Sequence, residues 1–240
     1  MSELSFRDEG EGEPVLLIHG LGAQSRVFEP VFAQRGTRRL IAVDLPRTGR
    51  SGKWASSTPE KIASALLPFL ETRGVKRFGV FGHSFGGLVA LELAARVPQR
   101  LTALTVAAAP ALGVPSEFKL LLSNPVADVT MKWFGTLPTW RPLLKAYLDL
   151  IWGEQKPSNE MMAIYEEATQ SKGFYDGMLE ALRAVGTFKL EHQVLKDLPV
   201  RKRVIWGEKD RLVSVVQGEQ LARALGVDFQ VLNGVGHCVP

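Results

Sequence analysis

The sequence predicts an α/β domain built on a mostly parallel sheet. Continuous apolar runs such as VLLI at 15–18 and LIAV at 40–43 read as strands covered on both faces. These runs alternate with amphipathic stretches at helical spacing, the order that a parallel sheet with helices on both faces requires. The length of 240 residues suits one such domain with a large core.

The elements follow in order. Leu4 to Arg7 reads as a short edge strand, turned by Glu9-Gly10-Glu11-Gly12. Val15–Ile18 and Leu40–Val43 are strands. Thr58-Pro59-Glu60 opens a helix, because Thr58 can cap and Pro59 suits the first helical position. Ile62, Leu66, Phe69 and Leu70 form its apolar stripe. FGVF at 78–81 is a strand, and Phe85 to Arg96 is a helix stopped by Pro98. LTALTV at 101–106 is the next strand. Residues 111–199 hold no convincing buried strand, and prolines at 115, 125, 138, 142 and 157 break a helical periodicity. The alternation resumes with Val204–Trp206, a helix from Val215 to Leu225, and a strand over Val227–Leu232. The expected organisation is a core of 1–110 and 200–240, with 111–199 inserted as a helical cap over one sheet edge.

Composition excludes several classes. Hydrophobic residues at 45% and charged residues at 22% rule out whole-chain disorder. The net charge of +4 is small for the length, and the basic residues are mostly spread, so no nucleic-acid partner is expected. A loose basic run (Arg35, Arg38, Arg39, Arg47, Arg50, Lys53) reads as a solvated edge, with an anionic carrier protein as the alternative reading. The single cysteine, Cys238, excludes an internal disulfide. Four histidines lie far apart without ligand spacing, so no metal site is expected. The polar N-terminus is not a signal peptide, and no apolar run reaches the roughly 18 residues that would span a bilayer. The expected location is cytoplasmic, with no membrane partner.

The chemistry centres on Gly82-His83-Ser84-Phe85-Gly86, a G-x-S-x-G pattern between a strand and a helix. That context describes a nucleophile elbow, where a sharp turn holds one serine Oγ above the sheet. No G-x-x-x-x-G-K-[ST] pattern is present, which sets nucleotide binding aside. Serine needs a base. His237, in the Gly-rich loop after the last strand, stands at a strand's carboxyl end, where sheet-borne sites gather. His83 should point away from Ser84, as adjacent strand residues do, and pack or hydrogen-bond beside the elbow. His19 should shape its own loop, and His192 should be solvated. The base needs an orienting acid. Asp210, directly after RVIW, is the first candidate, with Glu208 and Asp228 as alternatives and Asp44 expected to pin its own loop. The developing oxyanion needs preorganised donors. The N–H of Phe85 supplies one, and the His19–Gly22 turn, through the N–H of Leu21, supplies the other. Met131, Trp133, Phe134, Trp140 and Trp152 are candidates to line an apolar acyl pocket.

These residues resemble the α/β-hydrolase superfamily, in its single-domain carboxylesterase-like branch with a helical cap. The resemblance rests on HGLG at 19–22, DLPRTGRS at 44–51, GHSFGG at 82–87, GEKDRLV at 207–213 and GHC at 236–238. TVAAAP at 105–110 is more loosely similar to pimeloyl-carrier-protein methyl esterases. The resemblance implies an eight-stranded, mostly parallel sheet, no cofactor, and hydrolysis of a small-molecule ester through an acyl-Ser84 intermediate. Carbon–carbon bond hydrolysis and thioester cleavage are alternatives with the same triad, and a slow-turnover ligand receptor is a third. Two departures stand out. Arg47 occupies a position where similar proteins carry glycine, and the chain stops at Pro240, three residues after His237, where relatives continue into a closing helix. Without that helix an apolar sheet face is expected to lie open.

Overall fold

The structure is a computed structural model that describes residues 4–113, 129, 140–190 and 192–238. Its strands are β1 (Phe6–Glu9), β2 (Pro14–Ile18), β3 (Arg39–Val43), β4 (Phe78–His83), β5 (Leu101–Ala107), β6 (Arg201–Gly207) and β7 (Phe229–Leu232). They form one sheet in the order β1-β3-β2-β4-β5-β6-β7, in which β1 runs antiparallel to β3 and every other pair is parallel. The sheet therefore has seven strands among the described residues, not the eight implied by the resemblance. The sequence itself carries only seven apolar runs with strand character, and no described strand pairs beyond β1 or β7.

The period-2 alternation of strand side chains divides the core in two. On one face, Leu16, Ile18, Ile41, Val43, Phe78, Val80, Leu104, Val106, Val204 and Trp206 are buried. Helices α2 (Pro59–Thr72), α3 (Phe85–Arg96) and α8 (Val215–Leu225) pack there through Ile62, Leu66, Leu70, Leu88, Leu91, Leu221 and Leu225. On the other face, Phe28 and Phe32 cover Leu17, Leu40 and Ala42. Phe28 closes a 3₁₀ turn over Ser25–Phe28, and Phe32 lies on α1 (Glu29–Ala33). At the far edge, Val231 of β7 remains exposed.

Local chemistry explains the helix boundaries. Thr58 Oγ1 accepts from the Lys61 N–H at 3.4 Å, and Pro59 occupies the first turn. Gly226, at φ 65°, ends α8 in the left-handed conformation. This cap delays β7, which begins at Phe229 rather than Val227.

Between β5 and β6 the described chain holds four helices and no named strand: α4 (Trp140–Ile151), α5 (Asn159–Thr169), α6 (Phe174–Thr187) and α7 (His192–Lys196). The loop from Asp44 to Thr58 fastens α6 to the core. Ser57 donates through its N–H and its hydroxyl to the Glu180 carboxylate, at 2.7 and 3.1 Å, and Ser171 Oγ donates to the Gly49 carbonyl at 2.9 Å. Arg47 has φ 61°, a conformation that disfavours side chains, and its side chain lies against Gly173 and Gly177. The other arginines of the basic run are not equivalent to it. Arg39 pairs with Asp8 at 2.7 Å and Arg35 with Glu9 at 3.8 Å. Among the described residues, no helix is long and apolar enough to cross a membrane.

Candidate active site

Ser84 sits between β4 and α3 with φ 52° and ψ −119°, a sparsely populated conformation that the surrounding structure must hold. Its N–H donates to the Ala107 carbonyl at 2.8 Å, and its carbonyl accepts from the Gly87 N–H at 2.9 Å. The flanking glycines are required by close approach. A Cβ on Gly82 would lie 2.3 Å from the Gly86 carbonyl oxygen, and one on Gly86 would lie 2.3 Å from the Ile18 carbonyl oxygen. The G-x-S-x-G pattern is thus the packing condition of the turn itself.

Three residues from separate strand ends meet here. His237 Nε2 lies 2.8 Å from Ser84 Oγ, and His237 Nδ1 lies 2.8 Å from Asp210 Oδ2. A carboxylate can only accept, so Nδ1 carries the proton, and Nε2 is left to accept from the serine hydroxyl. The Asp210 side chain is fully buried. Its Oδ1 accepts from the Leu212 and Val213 N–H groups, each at 2.9 Å, which aims Oδ2 at the imidazole.

The other acids stand elsewhere. Glu208 is exposed and accepts from the Gly234 N–H at 3.0 Å, so it caps the turn before His237. That bond and the neighbouring Lys209 hold its carboxyl below the usual carboxylate range. Asp44 is buried and pins its own loop, accepting from the Ser25 N–H at 2.7 Å and the Arg50 N–H at 3.2 Å. Asp228 is exposed just before β7. His19 is fully buried. It donates through Nδ1 to the Gly20 carbonyl at 2.7 Å and accepts at Nε2 from the Leu45 N–H at 3.0 Å. Burial pushes its pKa down. It therefore locks the His19–Gly22 turn to the loop after β3.

The two candidate oxyanion donors flank one cleft. Phe85 is the first residue of α3, so its N–H has no intrahelical partner. The turn at Gly20–Ala23 closes through the Ala23 N–H, at 3.4 Å, and leaves the Leu21 N–H out of that bond. Leu21 and Phe85 both line one narrow cleft, with Gly20, Leu45, Pro46, Ile62, Phe174 and Met178 among its other walls. A Cβ on Gly20 would lie 3.0 Å from Ser84 Cβ, so that wall stands directly against the serine.

The candidate pocket residues fare differently from the triad. Met131, Trp133 and Phe134 lie outside the described residues, as does the side chain of Trp140. Trp152 does not line the cleft. It packs on a small cluster of Ala23, Leu148, Ile151, Tyr165 and Cys238. The apolar walls come instead from α6, through Phe174 and Met178, and from the loop after β3. The apolar stripe of α6 could have signalled this, but spacing alone does not say which cavity a stripe faces. His192 is at the start of α7, with its side chain outside the described residues. Among the described residues no cluster of three or more His, Cys, Asp or Glu could hold a metal ion.

Comparison with known proteins agrees with this architecture. Residues 15–240 match the model of the alpha/beta hydrolase family. The 2-hydroxymuconate semialdehyde hydrolase of Pseudomonas putida is 27% identical over 245 residues, covering 97% of this chain and 83% of that protein. Among solved structures, a thermophilic esterase from Thermogutta terrifontis superposes with a TM-score of 0.82 at 22% identity, covering 98% of this chain and 86% of the other. The enol-lactonase from Burkholderia xenovorans LB400 superposes with a TM-score of 0.78 at 21% identity, covering 98% and 90%. The sheet order, the serine at the strand–helix turn and the family match over nearly the whole sequence lead to one conclusion: this chain belongs to the alpha/beta hydrolase family and is a hydrolase.

Proposed function

We propose that the protein is a serine hydrolase that cleaves a carboxylic ester of small to medium acyl length through an acyl-Ser84 intermediate. The observation that carries this reading is the hydrogen-bonded chain Ser84–His237–Asp210, with 2.8 Å at each link. Ser84 Oγ attacks the ester carbonyl carbon while His237 Nε2 takes its proton. The oxyanion develops against the N–H groups of Phe85 and Leu21, where one such donor typically contributes ~10²–10³ in rate. The intermediate collapses, the C–O bond to the alcohol breaks, and the alkoxide leaves with the proton from His237. Water then attacks the acyl carbon, His237 takes its proton and returns it to Ser84 Oγ, and the carboxylic acid departs. Asp210 keeps the imidazole in one tautomer throughout and stabilises the transient imidazolium.

The cleft supports an uncharged acyl group. Its described walls contain no Lys or Arg. A carbon–carbon hydrolase acting on an anionic ring-fission product would need a cation near Ser84. Lys145 is exposed and paired with Asp149 at 2.6 Å, Arg183 is exposed, and the side chain of Arg141 lies outside the described residues. The helices between β5 and β6 act in this reading as a cap whose α6 closes the acyl side of the cleft.

The test is a panel of p-nitrophenyl acyl esters with 2-hydroxymuconate semialdehyde alongside. Phosphonate labelling followed by peptide mass spectrometry locates the nucleophile. Hydrolysis of the short esters, loss of turnover in Ser84→Ala and an adduct on Ser84 are expected. An adduct on another serine, or Ser84→Ala turning over like the parent, overturns the proposal.

A further inference from the structure

His83 stands one residue before the nucleophile, at the end of β4. Its Nε2 lies 2.8 Å from the backbone carbonyl oxygen of His237. A carbonyl only accepts, so Nε2 must carry the proton and donate. The other end of the same residue is held as well: the His237 N–H donates to the Ile151 carbonyl at 2.6 Å, from the carboxyl end of α4. The neighbouring Gly236 N–H donates to the Trp152 carbonyl at 3.1 Å, and Gly153 bridges Val235. The backbone of His237 is thus bracketed, by the elbow on its carbonyl side and by the inserted helices on its amide side.

We propose that His83 is a positioning residue, which donates from Nε2 to the His237 carbonyl and so holds the imidazole of His237 between Ser84 and Asp210. The inference rests on the reading of Ser84 and His237 as nucleophile and base. Nothing else about His83 suits it for direct chemistry, because its Nε2 is committed to a carbonyl rather than to Ser84 Oγ.

The surroundings are arranged for this bond. Gly20 leaves the space that the ring fills, since a Cβ there would lie 2.9 Å from His83 Nδ1. The rings of His83 and His237 are 5.1 Å apart, centroid to centroid. When His237 takes the serine proton it becomes a cation, and a second cation at that distance would oppose the step. Burial, reinforced by His237, pushes the pKa of His83 down to about 3, with Asp210 and His19 the other charged or titratable groups acting on it. His83 therefore stays neutral and keeps its donor over any working pH. A nucleophile–base pair tolerates little misplacement, since about 1 Å can cost ~10² in rate.

The experiment compares His83→Leu, His83→Gln and His83→Met on p-nitrophenyl acetate, with Ser84→Ala as control. The amide nitrogen of glutamine falls near the place of Nε2 and restores a donor. Leucine and methionine remove it. The donor-free variants are expected to lose about 10²-fold in kcat with KM within about two-fold, and His83→Gln is expected to recover most of that loss. If His83→Leu does not fold, the Gln and Met variants, of equal length, carry the comparison. Equal kcat in those two, at whatever level, overturns the proposal, because the donor would then have no bearing on the base. Failure of the underlying reading looks different: Ser84→Ala would retain activity, whatever the His83 variants do.

Discussion

Asp210→Asn is the most informative single change in the site. The substitution keeps size and shape, so the question is which way the amide faces. Oδ1 of Asp210 accepts from two backbone N–H groups, of Leu212 and Val213, while Oδ2 meets His237 Nδ1. Turning the amide NH₂ toward Leu212 and Val213 would set donor against donor at both N–H groups and strand that of buried Val213, at about 1–3 kcal/mol, to preserve one bond worth about 1 kcal/mol. The oxygen therefore stays on the backbone pair, and the NH₂ faces the imidazole. His237 can answer only by accepting at Nδ1, which moves its proton to Nε2 and removes the acceptor that Ser84 needs. In a triad of this kind the wrong tautomer lowers kcat by ~10⁴. That corresponds to about 5 kcal/mol of lost transition-state stabilisation. The assay is steady-state hydrolysis of p-nitrophenyl acetate, with circular dichroism to show the fold is kept. A kcat within ten-fold of the parent would refute the tautomer argument and, with it, the role given to Asp210.

Other changes separate the cleft, the core and the thiol. Met178→Trp should narrow the cleft and lower kcat/KM for p-nitrophenyl hexanoate at least ten-fold more than for the acetate, read from the ratio of the two (~1–3 kcal/mol for a pocket mismatch). Leu88→Ala, at a fully buried α3 position, should cost about 2–5 kcal/mol in urea unfolding. Thr58→Ala removes the cap from the Lys61 N–H and should cost about 1 kcal/mol, with esterase activity per folded molecule unchanged. Burial pushes the Cys238 thiol up to about 12, so the reactive thiolate is present at about one part in three thousand at pH 8.5. Ellman's reagent should therefore leave Cys238 untouched in the native protein and modify one thiol per chain in urea.

Much of the scaffold was legible because its signals are local. The helices Phe85–Arg96 and Val215–Leu225 have the bounds that their apolar spacing and flanking residues indicate. Each strand run emerges within a residue or two at its start, β1 at Phe6 rather than Leu4 and β7 deferred to Phe229 by Gly226, except that β6 begins three residues earlier, at Arg201. The short 3₁₀ turn and α1, between Ser25 and Ala33, have no comparable periodicity, being about two turns long. At the site, Ser84, Asp210 and His237 could be named because each closes a recognisable strand-end pattern, and their distances follow from strand order. The grip of Ile151 and Trp152 on the His237 loop could not, because it is made by backbone groups that any residue carries. Of the tryptophans expected to line an acyl pocket, Trp133 and the side chain of Trp140 lie outside the described residues. Trp152 is committed to a small packing cluster, while Phe174 and Met178, less conspicuous in the sequence, form the cleft wall.

Arg47 has a consequence for how this chain can vary. Its guanidinium and stem occupy the ground beside Gly173 and Gly177, where a Cβ on either glycine would come within 2.0 and 2.9 Å of the arginine side chain. An arginine in the loop after β3 and a two-glycine notch at the start of α6, Gly173 just before it and Gly177 within it, are thus one feature split between segments about 130 residues apart. Changing either half alone leaves a clash or a hollow, whereas changing both together restores the fit. A chimera that takes its helices between β5 and β6 from a relative with glycine at the loop position would need that loop as well. The natural unit of exchange between such enzymes would be the helices together with the stretch of core loop they close upon.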